Sequence, residues 1–185
     1  MDPRTFLPAP NLPVASAPQV GDPAPALPGA GDTELTTGRP AIVAFLRHTG
    51  CPFAEATMRA LRDAAASSTD IQWLAISHAP GPATERWAAH LGGTGDVKLI
   101  SDPSRRSYVA WGLGRTSAGH FLGRRSLGAV AQLARSGIRN THPSGTRWQS
   151  AGTFALDSAQ VIRWRHVPEH AGDLPNIAAA ESAIR

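Results

Sequence analysis

The sequence predicts an α/β domain, a central mixed β-sheet covered by helices on both faces and entered through an extended, proline-rich N-terminal arm. Three observations carry this. From residue 41 to about 111, short apolar runs alternate with segments of helical period, the pattern of parallel strands joined by crossover helices. Near the C-terminus two strand-like runs are separated by only Ser158, Ala159 and Gln160, which is a hairpin and therefore antiparallel. Eight of the sixteen prolines fall in the first thirty residues, which marks 1–30 as a polyproline-like arm and leaves 31–185 as one folded domain.

The elements follow in order. Ala41 to Arg47 is an apolar run opened by Pro40 and closed by His48-Thr49-Gly50, as expected of a buried strand. From Pro52 to about Ser68, Ala54, Met58, Leu61 and Ala65 recur at helical spacing, and Pro52 suits a first helical turn. Cys51 is thereby placed at a strand-to-helix junction, at or beside the helix N-cap. Ile71 to Ser77 reads as a second strand, and Pro82 to Leu91 as a second helix stopped by Gly92-Gly93. Val97 to Ser101 is a third strand, and Asp102-Pro103 opens a helix reaching Trp111. Gly112 to Arg125 carries four glycines and no clear period, so it is read as an irregular excursion before a helical segment at Leu127 to Ser136. Gly152 to Asp157 and Val161 to Arg165 form the hairpin, and Asn176 to Arg185 a closing helix.

Composition narrows the function classes. The chain has 185 residues, 42% hydrophobic and 17% charged, enough for one apolar core. No run approaches the roughly 18 apolar residues of a membrane span, and the early prolines interrupt any secretory signal, so a cytoplasmic protein with no membrane partner is expected. A single cysteine forbids an internal disulfide and a thiolate-rich metal site. The net charge of +4 is spread along the chain, and Arg105-Arg106 and Arg124-Arg125 lack interleaved aromatics, so no nucleic-acid partner is expected. Pro168 between His166 and His170 opposes the helix that would make them a metal-binding pair. No metal and no cofactor is implied. His78, His90, His120 and His142 read as surface or cap residues. The five tryptophans read as core or pocket wall, Trp148 at the mouth of a site near Cys51.

Motifs add a resemblance. Gly21-Asp22-Pro23-Ala24-Pro25, the stretch Val43 to Phe53 ending Cys51-Pro52-Phe53, Gly152-Thr153-Phe154-Ala155-Leu156-Asp157 and His170 to Asn176 resemble, in this order, segments of the alkyl hydroperoxide reductase and thiol-specific antioxidant (AhpC/TSA) group. The likeness is to its peroxiredoxin-like branch, and it implies the thioredoxin-like fold. Ala54 stands where that branch commonly has a second cysteine, so a CxxC disulfide cycle cannot run in this chain. Thr49 lies two residues before Cys51 instead of three, no arginine immediately precedes Gly152, and the position beside it is not proline.

The resemblance, with the junction position of Cys51, implies a single-cysteine thiol oxidoreductase. A helix N-terminus presents unpaired N–H groups and the positive dipole end, which favour a nucleophilic thiolate. The expected catalytic set is Cys51 as nucleophile, Arg47 as its cation and peroxide clamp, Thr49 as hydroxyl donor, and His48 as base or orienter. The expected pocket wall is Pro52, Phe53, Trp148, Gly152, Thr153, His120 and Phe121. The implied reaction is reduction of a hydroperoxide or thiol exchange, the resolving thiol is external, from glutathione, a thioredoxin-type protein or Cys51 of a second subunit, and a homodimer is an expectation from the resemblance alone. Plainer roles stand beside these: Cys51 as a small buried hydrophobe, Arg47 in an ion pair with Glu55 or Asp157, and Thr49 as a turn residue. Two other readings stay open. One is a repurposed enzyme acting without redox chemistry on an organic intermediate of secondary metabolism, and the other is a redox-silent binding protein.

Overall fold

The computed structural model describes residues 12–31, 35–116, 134–135, 137–138 and 146–185. Five strands, β1 (Ala41–Phe45), β2 (Gln72–Ser77), β3 (Lys98–Ser101), β4 (Gly152–Leu156) and β5 (Ile162–His166), form one sheet in the order β3-β2-β1-β4-β5. β3, β2 and β1 run parallel, whereas β4 is antiparallel to β1, and β5 to β4. Four helices are described: α1 (Pro52–Ala65), α2 (Gly81–His90), α3 (Arg106–Ala110) and α4 (Ile177–Ser182). This is the thioredoxin-like architecture, with the mixed central sheet that the sequence predicts.

β1 is buried along its whole length, so both of its faces are packed and it reads as a continuous apolar run instead of an alternating one. Its alternate residues enter two separate cores. Ile42, Ala44 and Leu46 join Met58 and Leu61 of α1, Trp87 of α2 and Ile177 of α4 on one face. Ala41, Val43 and Phe45 join Tyr108, Trp111 and Phe154 on the other, together with Leu27 and Ala30 from the N-terminal segment. Phe45 is packed edge-on against Tyr108 at 5.1 Å and against Phe154 at 6.1 Å.

Residues 12–24 run along the domain. Ala15 N donates to Val109 O at 3.1 Å, Gly21 N to Ile162 O at 2.8 Å, and Arg165 Nη1 to Pro18 O at 2.8 Å. Pro23 and Val161 form an isolated antiparallel bridge, which covers part of the outer edge that β5 would otherwise expose.

Some boundaries differ from the sequence reading. β1 ends at Phe45, two residues early: Leu46 still donates to Ile76 O at 2.8 Å, and the chain turns away from Arg47 onward. The third helix begins at Arg106, not at Asp102-Pro103: Asp102 lies before its first turn and accepts from Ser107 N at 2.9 Å and from Arg106 N at 3.3 Å. α4 is shorter than expected, with Asn176 Oδ1 accepting from Ala179 N at 3.0 Å as its N-cap. Most of the segment Leu127 to Ser136, with His120, Phe121, Arg124, Arg125 and His142, lies outside the described residues.

Candidate functional site

β1 delivers the site. Phe45 is in register with Ile76 of β2 and Gly152 of β4, and one more parallel-type bond, Leu46 N to Ile76 O at 2.8 Å, anchors the strand end. The chain then turns through Arg47 to Gly50. Gly50 has φ +82°, the left-handed conformation that glycine adopts without steric cost. The turn is closed by Cys51 N donating to His48 O at 3.2 Å, and Cys51 O receives Glu55 N at 3.1 Å. Cys51 is therefore the N-cap residue of α1, with extended dihedrals and no hydrogen bond from its side chain to the cap. Pro52 occupies the first turn, where its missing N–H costs nothing.

Arg47, His48, Thr49 and Cys51 are exposed by only 5%, 3%, 3% and 3%, so all four of the expected catalytic residues are enclosed. The Arg47 Nη2 donates to Arg147 O at 3.5 Å. Burial lowers the pKa of the Arg47 guanidinium, the nearby Cys51 raises it, and Arg147 lowers it. The ion pairs considered for Arg47 do not form. Glu55 is taken by Arg59, one helical turn on, at 2.7 Å, and Asp157 by Arg163 across the hairpin at 2.7 Å. Each carboxylate has an arginine closer in the chain, Arg59 on α1 for Glu55 and Arg163 across the hairpin turn for Asp157.

His48 Nδ1 lies 3.0 Å from Thr49 O; a carbonyl only accepts, so Nδ1 carries the proton and Nε2 is the acceptor. Burial pushes its pKa down to about 3, opposed by that backbone bond and assisted by the charges of Arg47, Arg147 and His78. The ring is neutral at pH 7, a weak proton acceptor that suits orienting better than base chemistry. His78, read from sequence as a surface or cap residue, is instead buried at the end of β2. Its Nε2 donates to Thr146 O at 3.0 Å, and burial drives its pKa down to about 4. Its position past the carboxyl end of a parallel strand, where α/β sites collect, is the signal that could have singled it out.

Arg147 was also missed. It belongs to the segment before β4 whose carbonyls face the site: Thr146 O accepts from His78 and Arg147 O from Arg47. Below the strand ends, the buried Tyr108 hydroxyl lies 2.7 Å from both Leu46 O and Ile76 O, so α3 ties the ends of β1 and β2 together.

A narrow cleft with only about 20 Å³ of room opens beside this cluster. Of the expected wall residues, Phe53, Gly152 and Thr153 line it, with Arg47 and Ala54. Cys51 does not line it, and neither do Pro52 and Trp148. Cys51 lies in the apolar cluster with Phe53, Ala54 and Met58. Trp148 is half-buried with the Arg115 guanidinium over its ring at 5.4 Å, and its carbonyl accepts from Thr116 N at 2.8 Å. His120 and Phe121 lie outside the described residues.

The fold recurs in solved structures. A peroxiredoxin-like protein from Aquifex aeolicus is 13% identical with a TM-score of 0.64, covering 92% of this chain and 91% of its own. The thiol peroxidase from Chromobacterium violaceum is 16% identical with a TM-score of 0.61, covering 93% and 89%. AhpC of Mycobacterium bovis is 16% identical with a TM-score of 0.56, covering 91% and 92%. At such identities the likeness is one of fold. No curated protein sequence matches the chain. The family model described as AhpC/TSA antioxidant enzyme matches residues 58–170, beginning seven residues after Cys51 and spanning more than half of the sequence. The chain, a thioredoxin-like domain with one cysteine at the N-cap of its first helix, therefore belongs to the AhpC/TSA antioxidant enzyme family.

Proposed function

We propose that this protein is a single-cysteine thiol peroxidase that reduces hydroperoxides through Cys51 and is recycled by an external thiol. The observation that carries the reading is the placement of the chain's only cysteine at the α1 N-cap, within electrostatic reach of the enclosed Arg47 guanidinium. The peroxidase-type fold supports the same reaction class.

In the first step the Cys51 sulfur attacks one peroxide oxygen. The S–O bond forms as the O–O bond breaks, and the departing oxygen leaves as water or an alcohol with the thiol proton. Cys51 is oxidised to sulfenic acid and the peroxide is reduced. Arg47 keeps its charge under burial and stabilises the negative charge that develops on the leaving oxygen. Thr49 lends a hydroxyl, and His48 braces the turn as a neutral ring. No second thiol exists in the chain, so the sulfenic acid waits for a partner molecule.

The test is the second-order rate of the reduced protein with hydrogen peroxide and with an organic hydroperoxide, with Cys51→Ser as blank. The expected result is a rate far above that of a free thiol, addition of one oxygen to Cys51 by mass, and a fall of about 100-fold or more in Arg47→Ala, the usual cost of losing a charge-stabilising donor. A rate equal to free cysteine would refute the reading.

A further inference from the structure

The positive charge of the chain is concentrated in one stretch, and not spread evenly as the composition suggests. From Pro103 to Leu156 the sequence carries eight arginines and no aspartate or glutamate, whereas the remainder has ten cations against fourteen carboxylates. Such an asymmetry within one domain bears on what the domain attracts. The sheet decides where it acts. β1, β2 and β3 run parallel, so their carboxyl ends share one edge, and the antiparallel β4 begins at that edge with Gly152 in register with Phe45. Cys51 follows β1 at this edge, His78 follows β2, Arg105 and Arg106 follow β3, and Arg147 precedes β4. Arg115 is brought there by its antiparallel bridge to Gln149.

The arginines pass inward from solvent to the sulfur. Arg115 is exposed, with its guanidinium over the Trp148 ring at 5.4 Å from the centroid. Arg147, the next residue back, is half-buried, and its carbonyl accepts from the enclosed Arg47 at 3.5 Å. Behind burial, the largest effect, the charge of Arg147 lowers the pKa of both Arg47 and His48, and that of Arg105 lowers the pKa of His78. The carboxylates of this edge are already engaged or lie away from Cys51. Glu55 is held by Arg59 at 2.7 Å. Asp102 accepts from the N–H groups of Arg106 and Ser107 that open α3. Asp173, in the loop after β5, lies 3.0 Å from His166 Nε2 and accepts from Glu169 N at 3.0 Å. Glu85 has Arg86 beside it on α2. Several cations beside an enclosed site of low dielectric focus their field into it, and that field extends about 8–10 Å into solvent at moderate salt.

We infer that this basic edge makes hydroperoxides carrying a carboxylate or another anionic group the preferred substrates of Cys51, ahead of neutral hydroperoxides. The inference rests on the Cys51 reading above and names its substrate class. The bond exchange at sulfur is unchanged, because the anionic group takes no part in it. That group is drawn toward Arg115 and Arg147 and raises the local concentration of the neutral O–OH end near Arg47 and the sulfur. The attraction acts through space, before contact, so it needs no preformed cavity for the whole molecule. A small anion fits better than a polyanion: Arg47 and Cys51 are exposed by only 5% and 3%, and a nucleic acid would meet the outer arginines alone.

The test measures the second-order rate of Cys51 oxidation in the reduced full chain with two matched probes, a short tertiary hydroperoxide bearing a carboxylate and its methyl ester. Ionic strength runs from about 20 to 500 mM, which shortens the reach of the field several-fold. The carboxylate is expected to react about 10-fold faster than the ester at low salt, the lower end for electrostatic focusing, and to lose most of that lead at high salt while the ester rate stays flat. Arg115→Gln with Arg147→Gln should slow the carboxylate several-fold more than the ester; the Arg47 bond is to the main-chain oxygen of residue 147 and does not depend on its side chain. Equal rates at low salt with an active Cys51, or a carboxylate lead indifferent to salt, would overturn the inference and leave the peroxidase reading standing. A short DNA duplex that binds at about 150 mM salt, where charges are screened beyond about 8 Å, and abolishes the carboxylate lead would overturn it in favour of a polyanion. A separate arm titrates Cys51→Ser by calorimetry with the hydroxy acid left by the reduced probe and with its methyl ester. Saturable, salt-sensitive binding of the acid alone supports the anionic preference even if Cys51 proves inert to peroxide, which would sink only the peroxidase reading. An inert Cys51 with neither compound bound removes both.

Discussion

Placing a second cysteine at position 54 tests the geometry of the site directly. Cys51 is the N-cap and Ala54 lies three residues on in the first turn of α1. With a rise of about 1.5 Å and a turn of roughly 100° per residue on a radius of about 2.3 Å, their Cα atoms are about 5 Å apart. That falls within the roughly 4.4–6.8 Å span that a disulfide bridges. Ala54 is 3% exposed, so the added sulfur must find room, and the adjoining cleft offers it. Ala54→Cys loses about 0.5 kcal/mol of helix propensity, a Tm decrease of about 1–2 °C at the scale of roughly 2–4 °C per kcal/mol for a chain of this size. One equivalent of peroxide is then expected to join Cys51 and the introduced thiol in a disulfide, read as a loss of two hydrogens by mass and of both free thiols by titration, whereas the wild type gains oxygen. Two thiols still titratable after oxidation, or an oxygen adduct that never closes to a disulfide, would refute this account of the α1 first turn.

Acid is expected to destabilise the fold, because His48 and His78 are buried neutral with pKa values of about 3 and about 4 while the unfolded chain takes up protons near 6.5. Stability is then full above about pH 6.5 and is lost as pH falls toward 4, with a slope of up to about 1.4 kcal/mol per pH unit for each histidine; urea unfolding at pH 7.5 and 5.5 should show it, and identical midpoints would contradict it. Tyr108→Phe removes the hydroxyl shared by Leu46 O and Ile76 O and should cost about 1–3 kcal/mol, a Tm drop of several degrees by calorimetry; an unchanged Tm would show that the hydroxyl contributes nothing. Gly112 has φ +70°, and a Cβ there would fall on the Ala17 backbone, 2.6 Å from its nitrogen. Gly112→Ala should therefore lift residues 12–18 and speed proteolysis there, and an unchanged cleavage pattern would count against the docking of this segment.

The legible parts of the molecule are those in which one segment decides its own structure. The run from Ala41 to Phe45 and the periodicity of Ala54, Met58, Leu61 and Ala65 need no partner to be recognised, and the tight Ser158-Ala159-Gln160 link fixes its hairpin alone. Cys51 at the junction was legible for the same reason. What stayed hidden depends on long-range contacts. His78 and Thr146 are hydrogen-bonded across 68 residues of chain, and Arg47 meets the Arg147 carbonyl across 100 residues. His166 and Asp173 were in view, but as a rejected metal pair and as a motif residue. Only the loop's hydrogen bonds turn the carboxylate onto the imidazole.

The enclosure of the site follows from the same sheet that builds it. β1 is central and apolar on both faces, so the residues that follow it emerge between two cores, and any polar side chain there must find its partners locally. Arg47 and His78 do so on the carbonyls of 146–147, which makes that segment a structural counterweight to the β1–α1 turn. His48 is satisfied by its own neighbour, and Tyr108 binds the strand ends from below. Substitutions that loosen this carbonyl framework should then act on Cys51 through position and not through charge.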